Sequence, residues 1–284
     1  MSAELRLLGT CYAVSETAQP IHFASRREKE LLAALAVDQG RPVSRDKVLD
    51  HIWGRDDFAA RKALNTSLWR LRGAIREAGG DPENWINSDT DHLMLPDTNG
   101  PWVDVVNLLH LEDPARLDLA DQWQLAETCQ GLFLPDAQGA WLDEVRRVIE
   151  ARQVRLLTAL VEGFKRADDT IRLRQAAERL LVLDPFEERG WQALIALYLN
   201  GGNRAQAIRL YKDLEAKLAE ELGVDPSPET RALLGPIERP KTSKRLAKAQ
   251  NDIRAISQRI ATLQGALNET LQELRTLSEQ LTDA

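Results

Sequence analysis

The chain has 284 residues, 43% hydrophobic and 29% charged, with a formal net charge of −7; this is the length of about two domains and a globular rather than disordered balance. Aromatic residues are only 5%, and Leu and Ala dominate, which favours helices over an all-β fold. Apolar runs such as Leu31–Val37 fall far short of the roughly 20 residues of a membrane span, the charged start lacks a signal-peptide core, and Cys11 and Cys129 are too few for a disulfide framework; a cytoplasmic protein without membrane contact is expected.

The acidity is uneven. Residues 1–100 carry 13 Lys and Arg against 15 Asp and Glu, residues 101–240 carry 17 against 24, and residues 241–284 carry 7 against 5. The negative charge therefore sits in the middle, and the ends can meet an anionic partner locally.

In chain order, three short strand-like runs come first, Glu4–Leu8, Cys11–Val14 and Ile21–Phe23, separated by Gly9 and by Gln19-Pro20. Ser25, with Glu28 three residues on, has the spacing of a capping box, and the helix it opens has an apolar face of Leu31, Leu32, Leu35 and Ala36. Gly40 and Pro42 stop it. A second helix runs from Ser44 to Ile52, ending at Trp53-Gly54, and a third from Phe58 to Ala78, ending at Gly79-Gly80. Trp85-Ile86 and Leu93–Leu95 then flank a polar tip, Asn87–His92, and read as a hairpin closing at Pro96. Strands, three helices and a hairpin are the order of a winged helix-turn-helix domain, residues 1–98, with a boundary in the Gly/Pro cluster Pro96–Pro101.

Residues 102–240 read as helical throughout. Helices are expected at Val145–Phe164, Thr170–Leu183, Phe186–Leu199 and Arg204–Leu222. Small residues (Ala176, Ala193, Ala196, Ala205, Ala207) at contact points, with Trp191, Leu194, Tyr198 and Tyr211, resemble tetratricopeptide-type pairs, which stack and leave a concave face for a partner. From Leu246 onward, Ala249, Ile253, Ile256, Ile260, Leu263, Leu267, Thr270, Leu274, Leu277 and Leu281 recur at alternating steps of three and four, a coiled-coil seam with one polar exception over residues 243–284. Such a helix would be roughly 58 Å long at 1.5 Å per residue. Its narrow stripe needs a partner, either a second copy, giving a homodimer, or the middle domain by folding back. The fold class is thus mainly α: a winged helix with small β elements, a tetratricopeptide-like domain and a coiled-coil helix.

Chemistry is sparse. His22, His51, His92 and His110 have no second ligand at metal spacing, no Gly-rich phosphate loop occurs, and no nucleophile elbow marks a catalytic serine. No enzyme activity, metal or cofactor is expected. The third helix differs from this background: between Phe58 and Ala78 it holds five basic residues and one acid. Ala60, Leu64, Leu68, Leu71 and Ile75 share one face. Arg61, Lys62, Asn65, Thr66, Trp69, Arg70, Gly73 and Arg76 point away from it, with Arg72 at the margin. The basic residues can neutralise phosphates of double-stranded DNA, while Asn65, Thr66 and Arg70 can reach base edges in a major groove. Trp69 could cover a sugar or thymine methyl, or pack under the wing.

Two segments carry a family resemblance. ARKALNTSLWRLRGAI, residues 60–75, resembles the recognition helix of OmpR/PhoB-type winged helices. LDPFEERGWQALIALYLNGGNRAQAIRLYKDLEAKLAEELGVDP, Leu183–Pro226, looks very like the bacterial transcriptional activator domain. Together they are similar to the antibiotic regulatory protein (SARP) architecture over residues 4–238. The resemblance implies a transcriptional regulator that binds direct repeats and helps recruit RNA polymerase. One departure stands out: where the family's wing ends in a Gly-Tyr-Arg-Leu-like run, this chain has Asp91-His92-Leu93-Met94-Leu95, with Asp89 and Asp91 at the tip. That places specificity on the third helix. It also leaves a second reading, a protein-interaction adaptor of the same architecture without operator binding.

Overall fold

The computed structural model describes residues 3–235, so the coiled coil expected at 243–284 lies outside the described residues. It opens with an antiparallel pair, β1 (Glu4–Arg6) and β2 (Tyr12–Val14). Ile21–Phe23, expected as a third strand, is not one. Pro20 makes a single bridge to Val14 and the Ile21 N–H donates to Ala13 O at 2.9 Å, after which pairing stops. Proline has no N–H to extend a ladder.

Helix α1 (Arg26–Val37) begins where the capping spacing places it: the Glu28 carboxylate turns back to accept the N–H groups of Ala24 at 2.6 Å and Ser25 at 3.2 Å. Leu31, Leu32, Leu35 and Ala36 are all buried. A two-residue strand, β3 (Val43–Ser44), runs directly into α2 (Arg45–Trp53), whose first turn is capped by the Ser44 hydroxyl accepting from Lys47 N–H at 3.2 Å. In α3 (Phe58–Glu77), Asp57 caps through Ala60 N–H at 2.7 Å, and Ala60, Leu64, Leu68, Leu71 and Ile75 are buried as one stripe. Each fully buried Leu or Ile contributes about 1.5–3 kcal/mol.

Trp85 is not in a strand. Asp81 caps and Pro82 opens a single-turn helix, α4 (Pro82–Trp85), because Asp followed by Pro is a strong helix-start pair. The hairpin strands lie closer to the turn than expected, taking in Asn87, Ser88 and His92 of the supposed tip: β4 (Asn87–Ser88) pairs with β5 (His92–Met94), and β3 adds to it in the order β3-β5-β4. After the Pro96–Pro101 cluster the chain returns to the opening sheet: β6 (Trp102–Val103) lies parallel to β1, giving β2-β1-β6.

The helical segment follows as α5 (Val106–His110), α6 (Leu119–Thr128), α7 (Ala140–Arg166), α8 (Thr170–Leu183), α9 (Glu188–Asn200), α10 (Arg204–Glu221) and α11 (Pro228–Leu233). Helix α7 starts five residues before the expected Val145, directly after Gly139. Helices α7 to α10 pack each on the next. Ala176, Ala193 and Ala207 are buried at these contacts, whereas Ala196 is half-buried and Ala205 exposed.

The winged helix and the helical segment share one core and form one compact unit through Leu233. The loop after α6 docks on the end of β1: Gly9 N–H donates to Leu132 O and Leu134 N–H to Leu7 O, both at 2.9 Å. Gly131, at φ +94°, has room for no side chain, since a Cβ there would lie 2.9 Å from the backbone of Gly9. The buried Asp104 carboxylate accepts from Leu7 and Leu8 N–H, both at 3.0 Å, and burial raises its pKa even against those bonds. On the other side of the junction His51 of α2 stacks on Trp141 of α7, ring centroids 5.3 Å apart and 5° from parallel.

Candidate nucleic-acid interface

Helix α3 buries one stripe and presents the other side to solvent. Phe58 and Trp69 are 85% and 75% exposed; eleven residues apart, they lie along one side of the helix. Trp69 therefore stands free of the wing. Phe58, Arg61, Lys62, Asn65, Thr66 and Trp69 line one shallow groove. Lys62, Thr66 and Arg70 line an adjoining one, together with Ser25 and Arg27 at the start of α1. Arg76 is exposed in the last turn of α3.

Arg72 belongs elsewhere. Its Nη2 donates to Ile86 O at 3.0 Å and Ser88 Oγ at 2.9 Å, with Glu83 at 3.7 Å, so it fastens β4 to α3 and does not face the groove residues. The marginal position read from the sequence turned inward because the hairpin base sits beside that edge of the helix.

The charge on the exposed face is graded. Arg61 is held by Asp56 through Nε at 2.5 Å and Nη2 at 2.6 Å, with Asp46 at 3.2 Å. The hydrogen bond to Arg61 keeps the Asp56 carboxyl below the usual carboxylate range. Much of the Arg61 charge is thus neutralised locally, which leaves Lys62, Arg70 and Arg76 as the main outward cations. The Thr66 hydroxyl donates back to Lys62 O at 2.9 Å, so its methyl and its acceptor lone pairs face out.

At the wing tip, Asp89 Oδ1 accepts the N–H of Asp91 at 2.8 Å and of His92 at 2.7 Å, and these backbone bonds lower its pKa. The tip therefore stays anionic, poorly suited to phosphate. Two residues of this face were missed in the sequence, Phe58 in the groove and Arg45 beside it. Phe58 carried a signal, an apolar residue off the apolar stripe of α3. Arg45 carried none, because its place depends on pairing between β3 and the distant β5. Its guanidinium bridges the Asp89 carbonyl and the Asn65 side chain.

A second concavity lies in the helical segment. Ala126, Cys129, Phe133, Ile149, Gln153 and Leu157 line a largely apolar cavity of about 420 Å3 between α6, α7 and α8. Gln153 Nε2 donates to Cys129 O at 3.0 Å, and burial pushes the Cys129 thiol up to about 12. Among the described residues no three His, Cys, Asp or Glu converge as a metal site, and no helix is long and apolar enough to cross a membrane.

Comparison with known proteins gives two family matches: "Transcriptional regulatory protein, C terminal" over residues 19–89 and "Bacterial transcriptional activator domain" over residues 124–237. The chain is 27% identical over 230 residues to the transcriptional regulatory protein MoaR1 of Mycobacterium tuberculosis, covering 73% of this chain and 70% of MoaR1. It is 26% identical over 241 residues to the transcriptional regulatory protein EmbR of the same species, covering 81% of this chain and 62% of EmbR. The solved structure of M. tuberculosis EmbR in complex with a low-affinity phosphopeptide superposes with a TM-score of 0.66 at 21% identity, over 82% of this chain and 64% of that one. The shared fold includes both the winged helix and the helical platform.

Proposed function

Because the chain belongs to the SARP-type transcriptional regulators, DNA-binding proteins that join an OmpR/PhoB-type domain to a bacterial transcriptional activator domain, we propose that it binds promoter DNA in the cytoplasm by laying α3 in the major groove. The observation that carries this is the outward face of α3, where Lys62, Asn65, Thr66, Trp69 and Arg70 line adjoining grooves around exposed aromatic surface. Lys62 and Arg76 approach phosphates on either side, Asn65, Thr66 and Arg70 approach base edges, and Trp69 with Phe58 covers sugar or thymine methyl groups. The anionic wing tip stays away from the backbone.

The helical platform is the second contact, meeting RNA polymerase or an effector, with the cavity beside Gln153 as the place an apolar group would enter. The apolar seam from Leu246 to Leu281 joins two chains as a homodimer.

The experiment is a gel shift on the DNA upstream of the protein's own coding region, followed across salt concentration. A regulator of this kind loses affinity steeply as salt rises, because phosphate contacts release counterions. The alternative, an interaction adaptor without operator binding, is favoured by the acidic wing and by the neutralised Arg61, and it predicts no shift at any salt concentration.

A further inference from the structure

Asn65 sits at the middle of the exposed face of α3, and its side-chain oxygen is already engaged. Arg45 Nη1 donates to Asn65 Oδ1 at 3.2 Å, while Nε and Nη2 of the same guanidinium donate to Asp89 O at 3.2 Å and 3.1 Å. The backbone N–H of Arg45 donates to Asp91 O at 2.8 Å. A guanidinium is planar, with its donors in a rigid fork. The hairpin therefore fixes the plane of Arg45, and that plane fixes the rotation of the Asn65 amide about its last torsion.

We propose that Arg45 is a positioning residue for base recognition: it holds the Asn65 oxygen toward α2, turning the NH2 group outward, so that Asn65 reads a hydrogen-bond acceptor edge. This rests on α3 being the base-reading helix. An unrestrained Asn presents donor and acceptor side by side and matches adenine N7 and N6–H2 together. With its oxygen turned toward Arg45 by a charge-assisted bond to one of its two lone pairs, Asn65 points its NH2 donors toward the groove. The edges that suit it best are guanine O6 and N7 or thymine O4, whereas adenine meets the NH2 group through N7 alone and leaves its N6–H2 donor without an acceptor. Cytosine, which shows an N4–H2 donor there, is rejected.

The wing thereby influences sequence choice without touching DNA. Asp89 and Asp91 are poor phosphate partners, but the Asp89 carbonyl orients the Arg45 guanidinium and the Asp91 carbonyl holds the Arg45 backbone.

The test is selection of duplexes from a randomised library by the intact protein, by Arg45→Ala, by Arg45→Lys and by Asn65→Ala, with thermal melts to confirm folding. The wild type should select guanine or thymine at one position, and Asn65→Ala should lose that preference. Arg45→Ala frees the amide and should raise adenine at that position on the order of five-fold, the lower end of what one base contact discriminates. It should have no such effect when combined with Asn65→Ala. Arg45→Lys keeps the charge but not the fork, so it should show the same gain in adenine with an unchanged salt dependence. Should Arg45→Ala not fold, Arg45→Lys carries the test alone. A wild type that already selects adenine there overturns the proposal. So does an Arg45 variant whose affinity falls equally on all sequences with an unaltered base profile, the behaviour of a phosphate contact. If no sequence is enriched by any of the proteins, the DNA-binding reading itself fails.

Discussion

Side chains on the same exposed helix face can act on DNA in separable ways. Asn65→Ala and Arg70→Ala should each weaken operator binding by about 1–3 kcal/mol, with a smaller loss on scrambled duplex. Lys62→Ala and Arg76→Ala should lower affinity on both duplexes alike and reduce the log–log salt slope by about one each. Titrations on paired operator and scrambled DNA at several salt concentrations separate the two classes. Equal losses for Asn65→Ala on both duplexes would assign it to the backbone. Gly73 is a different case. It lies mid-helix on the outward side of α3, and a Cβ there would meet open space, so the fold has no packing need for glycine. Glycine in a helix interior costs roughly 0.5–1 kcal/mol relative to alanine. Gly73→Ala should therefore raise the denaturant midpoint by that amount of stability while weakening DNA binding, because close approach of a groove wall is what the missing methyl permits. A variant that gains stability and keeps full affinity would show that DNA does not come near this turn.

At the scale of elements, the junction loop depends on a glycine at Gly131. Gly131→Ala must push a methyl into Gly9 from a backbone conformation that alanine disfavours. It should lose on the order of 1–3 kcal/mol in chemical denaturation, and an unchanged midpoint would mean the loop is free to shift. This junction also marks where the sequence was legible and where it was not. Long helices announced themselves: the stripe Ala60, Leu64, Leu68, Leu71, Ile75 has the 3.6-residue period and is buried as a unit. Helix starts did too, at Ser25 and Ser44. The strands were hard to bound, because β3, β4 and β6 are two residues each and such a stretch has no periodicity. β6 exists only because β1 lies ready beside it, and Arg72 and Arg45 found their roles through a hairpin that is distant in sequence. Local chemistry wrote the helices, and non-local pairing placed the side chains that finish the candidate site.

For the whole molecule, two predictions concern assembly and reach. The dimer proposed above rests on the apolar pattern read in the sequence through Ile253, Ile260, Leu267 and Leu274. A chain ended at Pro240, or Ile260→Asp in the intact chain, should scatter light as one chain while the wild type scatters as two, since a charge in the seam is costly to bury. Affinity of the shortened protein should fall more on paired half-sites than on a single one, because tethering raises the effective concentration of the second domain. If wild type and both variants all run at the mass of one chain, the dimer is excluded.

The other prediction follows from Gly9 lying against Gly131 and His51 stacked on Trp141, which lock the helical platform to the winged helix on two sides. If α3 lies in the groove as proposed, a platform held by these contacts takes its rotational setting from that helix, and its proposed partner should lie on one face of the duplex. Because B-DNA turns once in about 10–10.5 base pairs, inserting about half a turn between operator and promoter should abolish regulation in a reporter assay, and inserting a full turn should restore much of it. A freely jointed protein would lose activity smoothly with distance; this one should count turns.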